Sequence, residues 1–211
     1  MNPLRIEKPE ASTCRVVFVR HGETSLNAER RFRGRIDVQL NDRGRAQVER
    51  TAEYLRDLPF MAAYSSPLAR ALQTAEGIAG LHSLPVTTRD ELLDMDFGEW
   101  AGKRLADIDP EDVKLWRLSP ELVAIPWGET LTMVMQRLLH FARELRHHFG
   151  EIVLVVSHEI VGCLLLCLAS GAPISAVHRF RQENACVDLL DLGPTDFAVL
   201  RANDTSHLEE V

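Results

Sequence analysis

Short runs of apolar, mostly β-branched residues recur along the chain and predict buried strands. The two strongest runs cover residues 15–19 (RVVFV) and 152–156 (IVLVV), where nearly every side chain is apolar. Continuous apolar strands are typical of a sheet that is covered on both faces. Weaker candidates of the same kind occupy residues 61–64, 85–88, 186–190 and 197–200.

Helical spacing of apolar residues fills the intervals between these strands. One helix is predicted over residues 42–57, with Asn41 as its N-cap. Another is predicted over residues 67–79, with Ser66 as its N-cap and Pro67 at the first helical position. Both helices are assigned because the side-chain oxygens of Asn41 and Ser66 can accept hydrogen bonds from backbone N–H groups that are free at the start of a helix.

The later half of the chain carries two further helical patterns. One opens with residues 128–130 and stops at Gly150, and the other is an almost wholly apolar run over residues 158–169. Residues 103–127 contain three prolines and predict short helical pieces. Strands that alternate with helices predict an α/β fold of three layers (α/β/α), with a mostly parallel central sheet and helices on both faces.

Charge and composition argue against several classes of partner. The chain has 211 residues, of which 45% are hydrophobic and 26% charged, as in a folded protein. Its net charge of −7 argues against sequence-independent binding to nucleic acid or to an anionic membrane. The longest apolar run, residues 160–169, is too short to span a bilayer. The cysteines are widely spaced and form no CxxC pair, which favours a reducing, cytoplasmic compartment.

Basic and imidazole side chains follow three of the predicted strands at the point where each ends. Arg20 and His21 come directly after the first strand, Arg70 lies in the segment after the second, and His158 follows the fourth. The carboxyl ends of parallel strands meet at one edge, where open α/β sheets bind ligands. Two arginines and two histidines suit a phosphate group, because guanidinium groups bind phosphate oxygens and imidazole can attack phosphorus.

Several sequence blocks carry a resemblance to a known family. They are RHGET at residues 20–24 with Asn27 after it, SSPLARALQTA at 65–75, DFGEWAG at 96–102, GET at 128–130 and VVSH at 155–158. In this order they resemble the motifs of the histidine phosphatase superfamily, which includes the cofactor-dependent phosphoglycerate mutases. The resemblance covers about residues 15–208, and the RQENAC stretch at 181–186 is most similar to α-ribazole phosphatases and broad-specificity relatives.

The resemblance implies a role for each matching residue. His21 would be the nucleophile that becomes phosphohistidine. The other site residues would be Arg20, Arg70 and His158 on the transferring phosphoryl group, Asn27 beside them, and Arg33 and Gly34 at the substrate mouth. Neither a metal ion nor a cofactor is expected, because arginines supply the positive charge.

The same resemblance implies a phosphoglycerate mutase-like fold in a single domain over residues 1–211. Residues 1–13 would be a loose lead-in, and residues 103–127 a helical insert over the active site. Small phosphorylated metabolites are the expected partners, without nucleic acid or membrane, and a homo-oligomer is compatible with the sequence.

The chain departs from the family pattern at the proton donor. The usual residue is a Glu four positions before the Gly of the FG-x-W block, and that position is Asp94 here. The side chain is shorter by one C–C bond, about 1.5 Å. Glu91 is a possible substitute, but in an extended segment positions 91 and 94 face opposite sides. Asp94 is therefore favoured, with Asp96 as a weaker candidate on the same face.

A second departure is Glu159, where the family usually has Gly after the second His. This carboxylate could assist as an acid, repel a second substrate anion, or be a solvated charge in the first turn of a helix. It is included among the substrate-binding candidates.

The predicted function is hydrolysis of phosphomonoesters of small metabolites through a phosphohistidine, without a metal. One alternative is a cofactor-dependent phosphoglycerate mutase, although the glycolytic members of that group are longer, with an insert after the acid segment. The other alternative is a non-catalytic regulator that binds phosphate. Only Asp94 supports the regulator, since His21 and both arginines are intact.

Overall fold

Six strands of the described part of the chain form one sheet at the centre of the molecule. The computed structural model describes residues 3–195 and 197–209. The strands are β1 (Cys14–Arg20), β2 (Phe60–Ser65), β3 (Val86–Thr88), β4 (Ile152–Ser157), β5 (Val187–Leu192) and β6 (Phe197–Asp204). Their order across the sheet is β3-β2-β4-β1-β5-β6.

The first four strands run parallel to one another. β1 pairs with β4, and β2 pairs with both β3 and β4, with Val17 opposite Leu154 in the middle of the sheet. β5 is antiparallel to β1 and to β6, which forms the other edge. The prediction of a mostly parallel sheet is confirmed. Each predicted strand is present, and β6 continues beyond its predicted end to Asp204.

Side chains of the central strands alternate between two hydrophobic layers. Val16 and Phe18 of β1 belong to one layer, and Val17 and Val19 to the other. All four are at most 2% exposed. A strand that is buried on both faces needs apolar residues at consecutive positions, which explains the continuous apolar runs in the sequence.

Helices cover both faces of the sheet. They are α1 (Ser25–Ala28), α2 (Asp42–Leu55), α3 (Ala69–Gly80), α4 (Pro110–Leu118), α5 (Leu131–Glu144) and α6 (Glu159–Ser170). α2 and α3 pack on the layer that contains Val17 and Val19, whereas α4, α5 and α6 contribute to the opposite layer. The predicted three-layer α/β/α architecture is confirmed.

Side-chain N-caps mark the starts of α1, α2, α4 and α5, whereas α3 and α6 begin without one. Oδ1 of Asn41 accepts a hydrogen bond from a backbone N–H of the first turn of α2 at 2.8 Å, as predicted. The predicted start of α3 is wrong, because this helix begins at Ala69 after Leu68, which makes no side-chain cap. The hydroxyl of Ser66 lies instead 2.8 Å from Nε2 of His158, one of the candidate site residues.

α6 packs closely on the sheet. A Cβ at Gly162 would lie 2.5 Å from Oε1 of Gln182 and 2.7 Å from Cε1 of Phe18, so no larger residue fits there without a shift. α6 is also the most apolar helix. In the described part of the chain, no helix combines the length and the apolar character needed to cross a bilayer.

Residues 103–127 contain α4 with a 3₁₀ turn before it (Leu105–Asp107) and another after it (Pro120–Leu122). Trp116 of α4 packs edge-on against Phe97 and Trp100, with ring centroids 5.9 Å apart in both pairs. These contacts join the segment to Phe97 and Trp100, which lie a few positions after the candidate acid Asp94.

Candidate active site

The carboxyl ends of β1 and β4 bring two histidines together. His21 follows β1 and His158 follows β4, and the N–H of His21 donates to the carbonyl of Ser157 at 2.9 Å. The two imidazole centroids are 5.2 Å apart, and both side chains are fully buried. The sequence predicts that these strand ends meet, and in the structure their two histidines lie side by side in one enclosed site.

His21 is held in one tautomer by its neighbour. Nδ1 lies 2.7 Å from the carbonyl oxygen of Gly22, which can only accept, so Nδ1 carries the hydrogen and Nε2 keeps its lone pair. Burial lowers the pKa of His21 well below its ordinary value, and Arg70 and Arg20 lower it further. The ring is therefore neutral at neutral pH, with Nε2 available as a nucleophile.

The position of His21 depends on a close backbone contact. A Cβ at Gly22 would lie 2.7 Å from the carbonyl oxygen of Gly44 in the first turn of α2, so glycine is required at this contact. The N–H of Gly22 also donates to Oγ1 of Thr74 in α3 at 3.1 Å. Two helices therefore fix the residue that orients the imidazole.

Arg70 is the central cation of the site. Its side chain is fully buried, and its Nε lies 3.3 Å from Nε2 of His21. The carbonyls of Gly34 and Ile36 accept hydrogen bonds from its terminal nitrogens at 2.8 and 2.9 Å. Nη2 also lies 3.1 Å from Oδ2 of Asp94. These bonds hold the guanidinium beside the imidazole of His21.

His158 presents an unpaired nitrogen to the site. Its Nε2 lies 2.8 Å from Oγ of Ser66, whereas Nδ1 is buried and has no partner among the described residues. Nδ1 lies 3.8 Å from Oδ2 of Asp94. Burial lowers the pKa of His158 well below its ordinary value, and Arg70 adds to this effect. A buried nitrogen without a partner is suited to a ligand atom.

Asp94 is placed inside this cluster. The carboxyl group is buried, and its Oδ1 accepts a hydrogen bond from the N–H of Met95 at 3.0 Å. Burial raises the pKa of Asp94 above its ordinary value, although Arg70 and Arg33 act in the opposite direction. A carboxyl group with a raised pKa can carry the proton that an acid catalyst needs.

The other two candidate acids lie away from the histidines. Glu91 belongs to a 3₁₀ turn (Asp90–Leu92), so the extended segment assumed in comparing it with Asp94 is absent at this position. Its carboxylate lies 3.9 Å from Nε2 of His140 instead. Asp96 accepts a hydrogen bond from the N–H of Gly98 at 2.9 Å and lies 3.8 Å from Nε of Arg35.

Glu159 joins two arginines of the site. Its Oε2 lies 3.0 Å from Nη2 of Arg20 and 3.1 Å from Nη2 of Arg33. Arg20 also donates to the carbonyl of Gln182. The Nε atoms of Arg20 and Arg33 are buried and have no partner in the described part of the chain. Two buried donors beside two histidines are available to an anion.

Comparison with known proteins identifies the family. The model of the family described as "Histidine phosphatase superfamily (branch 1)" matches residues 16–205. The chain belongs to the histidine phosphatase superfamily. A relative from Hydrogenobacter thermophilus, named phosphoserine phosphatase 1, is 32% identical over 93% of this chain and 95% of its own length.

Two further proteins extend the comparison. A phosphoglycerate mutase-like protein 4 from Arabidopsis thaliana is 34% identical over 100% of this chain and 94% of its own. The solved structure of Bacillus stearothermophilus YhfR superposes with a TM-score of 0.87 at 30% identity, covering 93% of this chain and 100% of that one. Histidine phosphatase relatives therefore carry both phosphatase and mutase names.

Two predicted site residues of this histidine phosphatase lie beside the cluster rather than in it. The amide oxygen of Asn27 accepts hydrogen bonds from the N–H and the hydroxyl of Thr24 at 3.1 and 2.8 Å. Only its amide nitrogen is left for a ligand. Gly34 has a φ of +50° and turns its carbonyl toward Arg70. It thus supports the central arginine, while Arg33 itself lines the substrate cleft.

An open cleft of about 690 Å³ leads to the histidine phosphatase site. Asp94, Arg33 and Glu159 lie on its inner wall. Its other lining residues are three further arginines, one glutamate, one histidine and apolar side chains, including Arg30, Arg31, Arg104, Glu29, His178, Phe32, Phe97 and Ile160. A phosphoryl group at the histidines can thus carry a substituent that extends into this cleft.

The histidine phosphatase site also contains residues that the sequence did not single out as functional. Arg137 of α5 donates to the carbonyls of Glu91 and Asp94 at 2.6 and 3.2 Å. Glu129 binds the same guanidinium at 3.2 Å and accepts a hydrogen bond from the N–H of Asp96 at 2.9 Å. The GET block drew attention to Glu129, but no local pattern marks Arg137.

One group of side chains in the described residues has the geometry of a metal site. Glu91, His140 and Glu144 have ligand atoms within 4.8 Å of one another. Nε of Arg89 already lies 3.1 Å from Oε2 of Glu144 and supplies a positive charge there. This group lies on the surface at α5, and none of its members belongs to the histidine cluster.

Proposed function

We propose that this protein is a phosphatase that hydrolyses phosphomonoesters of small metabolites through a phosphohistidine at His21. The observation that carries the proposal is the buried imidazole whose Nε2 carries no hydrogen and accepts a hydrogen bond from Nε of Arg70 at 3.3 Å. A neutral imidazole beside fixed cations is the arrangement that nucleophilic attack on a phosphoryl group requires.

The phosphoryl group binds among the cations of the site. Arg70 holds one oxygen from its position beside the nucleophile, and the unpaired Nε donors of Arg20 and Arg33 face the same anion. His158 donates from Nδ1 when the hydroxyl of Ser66 donates to its Nε2. The arginines thus neutralise charge that builds up on the phosphoryl oxygens in the transition state.

The first chemical step transfers the phosphoryl group to the protein. The lone pair on Nε2 of His21 forms a bond to phosphorus, and the bond from phosphorus to the ester oxygen breaks. The leaving oxygen takes the bonding pair together with the proton of the Asp94 carboxyl group. The products of this step are phosphohistidine, a free alcohol and an Asp94 carboxylate.

The second step returns the protein to its starting state. The Asp94 carboxylate takes a proton from water, whose oxygen attacks phosphorus. The bond from phosphorus to Nε2 breaks, and its electron pair returns to the imidazole of His21. Inorganic phosphate leaves, and Asp94 is protonated for the next turnover.

A phosphoglycerate mutase is the second candidate, and the mutase-like relative supports it. A mutase returns the phosphoryl group to a second hydroxyl, whereas a phosphatase gives it to water. The two are distinguished by following phosphoglycerate with 2,3-bisphosphoglycerate present. Transfer that exceeds release of inorganic phosphate would overturn the phosphatase proposal.

The decisive experiment measures hydrolysis of p-nitrophenyl phosphate in EDTA. Activity should persist without metal and disappear in His21→Ala, while His147→Ala, at an exposed position, should retain it. After rapid quenching, an acid-labile and base-stable phosphate should be found on His21. Activity that vanishes in EDTA and returns with a divalent ion would show that the mechanism is wrong.

The physiological substrate is best sought among small phosphorylated metabolites. A panel of sugar phosphates, phosphoserine, phosphoglycerates and α-ribazole phosphate covers the names of the relatives and the resemblance in the sequence. We also propose a cytoplasmic location, because Cys14, Cys163, Cys167 and Cys186 are free and buried as in a reducing compartment. Fractionation of the source cells tests this location.

A further inference from the structure

Glu159 places a negative charge between two cations of the phosphoryl site. It is the first residue of α6, directly after His158. Its Oε2 lies 3.0 Å from Nη2 of Arg20 and 3.1 Å from Nη2 of Arg33. The carboxylate therefore neutralises part of the positive charge that would otherwise attract anions.

The ion pairs exclude two of the three interpretations of this residue. Partial removal from water would raise the pKa of Glu159, but Arg20 and Arg33 outweigh that effect and hold the pKa below its ordinary value. A carboxylate with a lowered pKa holds no proton to donate at neutral pH. A side chain bound to two arginines is also not simply solvated. The remaining interpretation is that the negative charge of Glu159 repels a second anion on the substrate.

The charges near the phosphoryl group leave no excess positive charge that could bind a second anion. Arg20, Arg33 and Arg70 contribute three positive charges, and Glu159 contributes one negative charge. With Asp94 protonated, a phosphoryl dianion brings the sum to zero. A further negative charge beside the phosphoryl group would then meet Glu159 without a compensating cation.

Glu159 faces the cleft into which the leaving group of a bound phosphomonoester would extend. Its side chain is 45% exposed and lines the cleft together with Asp94, Arg33 and His178. Burial lowers the pKa of His178, so this ring is neutral and supplies no positive charge at neutral pH. At the rim of the cleft, Arg30 and Arg104 are exposed, where solvent and salt screen their charges, and Arg31 forms an ion pair with Glu29 at 2.6 Å.

We propose that Glu159 is a specificity-determining residue for the charge of the leaving group. It favours phosphomonoesters that carry an ammonium or hydroxyl group next to the phosphoryl group, and it rejects those that carry a second anion there. The inference rests on the proposed phosphatase activity. It names the class of substrate that this site accepts.

Three compounds of similar size test the inference. They are phosphoethanolamine, 2-hydroxyethyl phosphate and phosphoglycolate, whose substituents are cationic, neutral and anionic. We expect kcat/KM to fall in this order, with roughly tenfold or more between the first and the last. A compound that turns over too slowly is ranked by its competitive inhibition of p-nitrophenyl phosphate hydrolysis.

Glu159→Gln removes the charge and keeps an oxygen that can accept from the arginines. In this variant the cationic and anionic compounds should differ by no more than about threefold, mainly through a gain for phosphoglycolate. Glu76→Gln, the same substitution at an exposed position of α3, should keep the native order. p-Nitrophenyl phosphate should still be hydrolysed by both variants.

Each result decides between the explanations. An active native enzyme that does not discriminate among the three compounds overturns the inference and leaves the phosphatase proposal standing. A gain of the same factor for all three in Glu159→Gln shows that the carboxylate only occupies the arginines, and also overturns it. A native enzyme that does not hydrolyse p-nitrophenyl phosphate refutes the proposed function, and the inference with it.

Discussion

Oδ2 of Asp94 lies 3.1 Å from Nη2 of Arg70, and both side chains are buried in the protein. The arginine favours the ionised carboxylate, yet burial outweighs it and raises the pKa of Asp94. The pair therefore holds a carboxyl group that can alternate between acid and base beside the phosphoryl site. The first prediction follows from this ability of Asp94 to act as both acid and base.

Asp94→Asn should affect substrates according to their need for a proton. Hydrolysis of p-nitrophenyl phosphate should fall roughly tenfold, and hydrolysis of alkyl phosphates by on the order of 1,000-fold. An activated aryl oxygen leaves without a proton, whereas an alkoxide does not. Asp96→Asn is the matched control, since its carboxylate faces Arg35 and Gly98. An equal loss for aryl and alkyl substrates in Asp94→Asn would argue against the acid role.

The pH dependence of kcat/KM should report the two buried groups. His21 has to be unprotonated, so the rate falls as the pH drops through its pKa, which burial and then Arg70 hold well below the ordinary value. Asp94 has to be protonated, so the rate falls as the pH rises through its pKa, which burial raises. The optimum is therefore expected between the lowered pKa of His21 and the raised pKa of Asp94.

A comparison of pH profiles separates these groups from the substrate. Asp94→Asn should lose the alkaline limb that belongs to the carboxyl group and keep the acid limb of His21. Ionisation of the substrate is common to both enzymes and cancels in the ratio of their rates. A ratio that does not change with pH would contradict this assignment.

Arg137 should act as a positioning residue for the acid. It donates to the carbonyls of Glu91 and Asp94, so its removal frees the segment that carries the carboxyl group. A displacement of about 1 Å is enough to reduce catalysis roughly 100-fold. Arg137→Ala should therefore lower kcat for alkyl phosphates more than for p-nitrophenyl phosphate, with little change in KM.

A merely structural role of Arg137 makes a different prediction. It would lower the activity toward both substrates by the same factor, in proportion to the folded fraction. Arg143→Ala, an exposed arginine on the same helix, serves as the control. If Arg137 acts through Asp94, adding Arg137→Ala to Asp94→Asn should cause little further loss toward alkyl phosphates.

Asp188 should make the folded state less stable as the pH rises. Burial raises the pKa of Asp188 from 3.8 to about 6, despite hydrogen bonds from Asn203 and Gln182. Between these two values the folded protein holds a proton that the unfolded chain has released. The stabilisation is therefore lost as the pH rises from about 4 to about 6, by on the order of 3 kcal/mol.

Urea denaturation at several pH values checks this expectation. Asp188→Asn should show a smaller fall in the free energy of unfolding across this range. Asp112→Asn, which removes an exposed carboxylate, should follow the native profile. The assignment fails if the native and Asp188→Asn profiles run parallel from pH 4 to pH 7.

Local sequence patterns were enough to predict much of the fold. β1 and β4 are buried on both faces, so their apolar side chains had to be consecutive, and this is visible without a structure. The start of α3 was not predictable in the same way. Ser66 had the residue type of an N-cap, but its hydroxyl contacts His158, a residue more than ninety positions away in the chain.

The sequence by itself determined the architecture and the placement of His21, Arg70 and His158 near one sheet edge, because parallel strands that end in functional residues bring those ends together. It also indicated Asp94, through a motif and its spacing. Only the tertiary structure decided which groups touch. The ion pairs of Glu159 and the bonds from Arg137 join segments far apart in the chain, and the pKa of a buried group depends on those neighbours and on the exclusion of water.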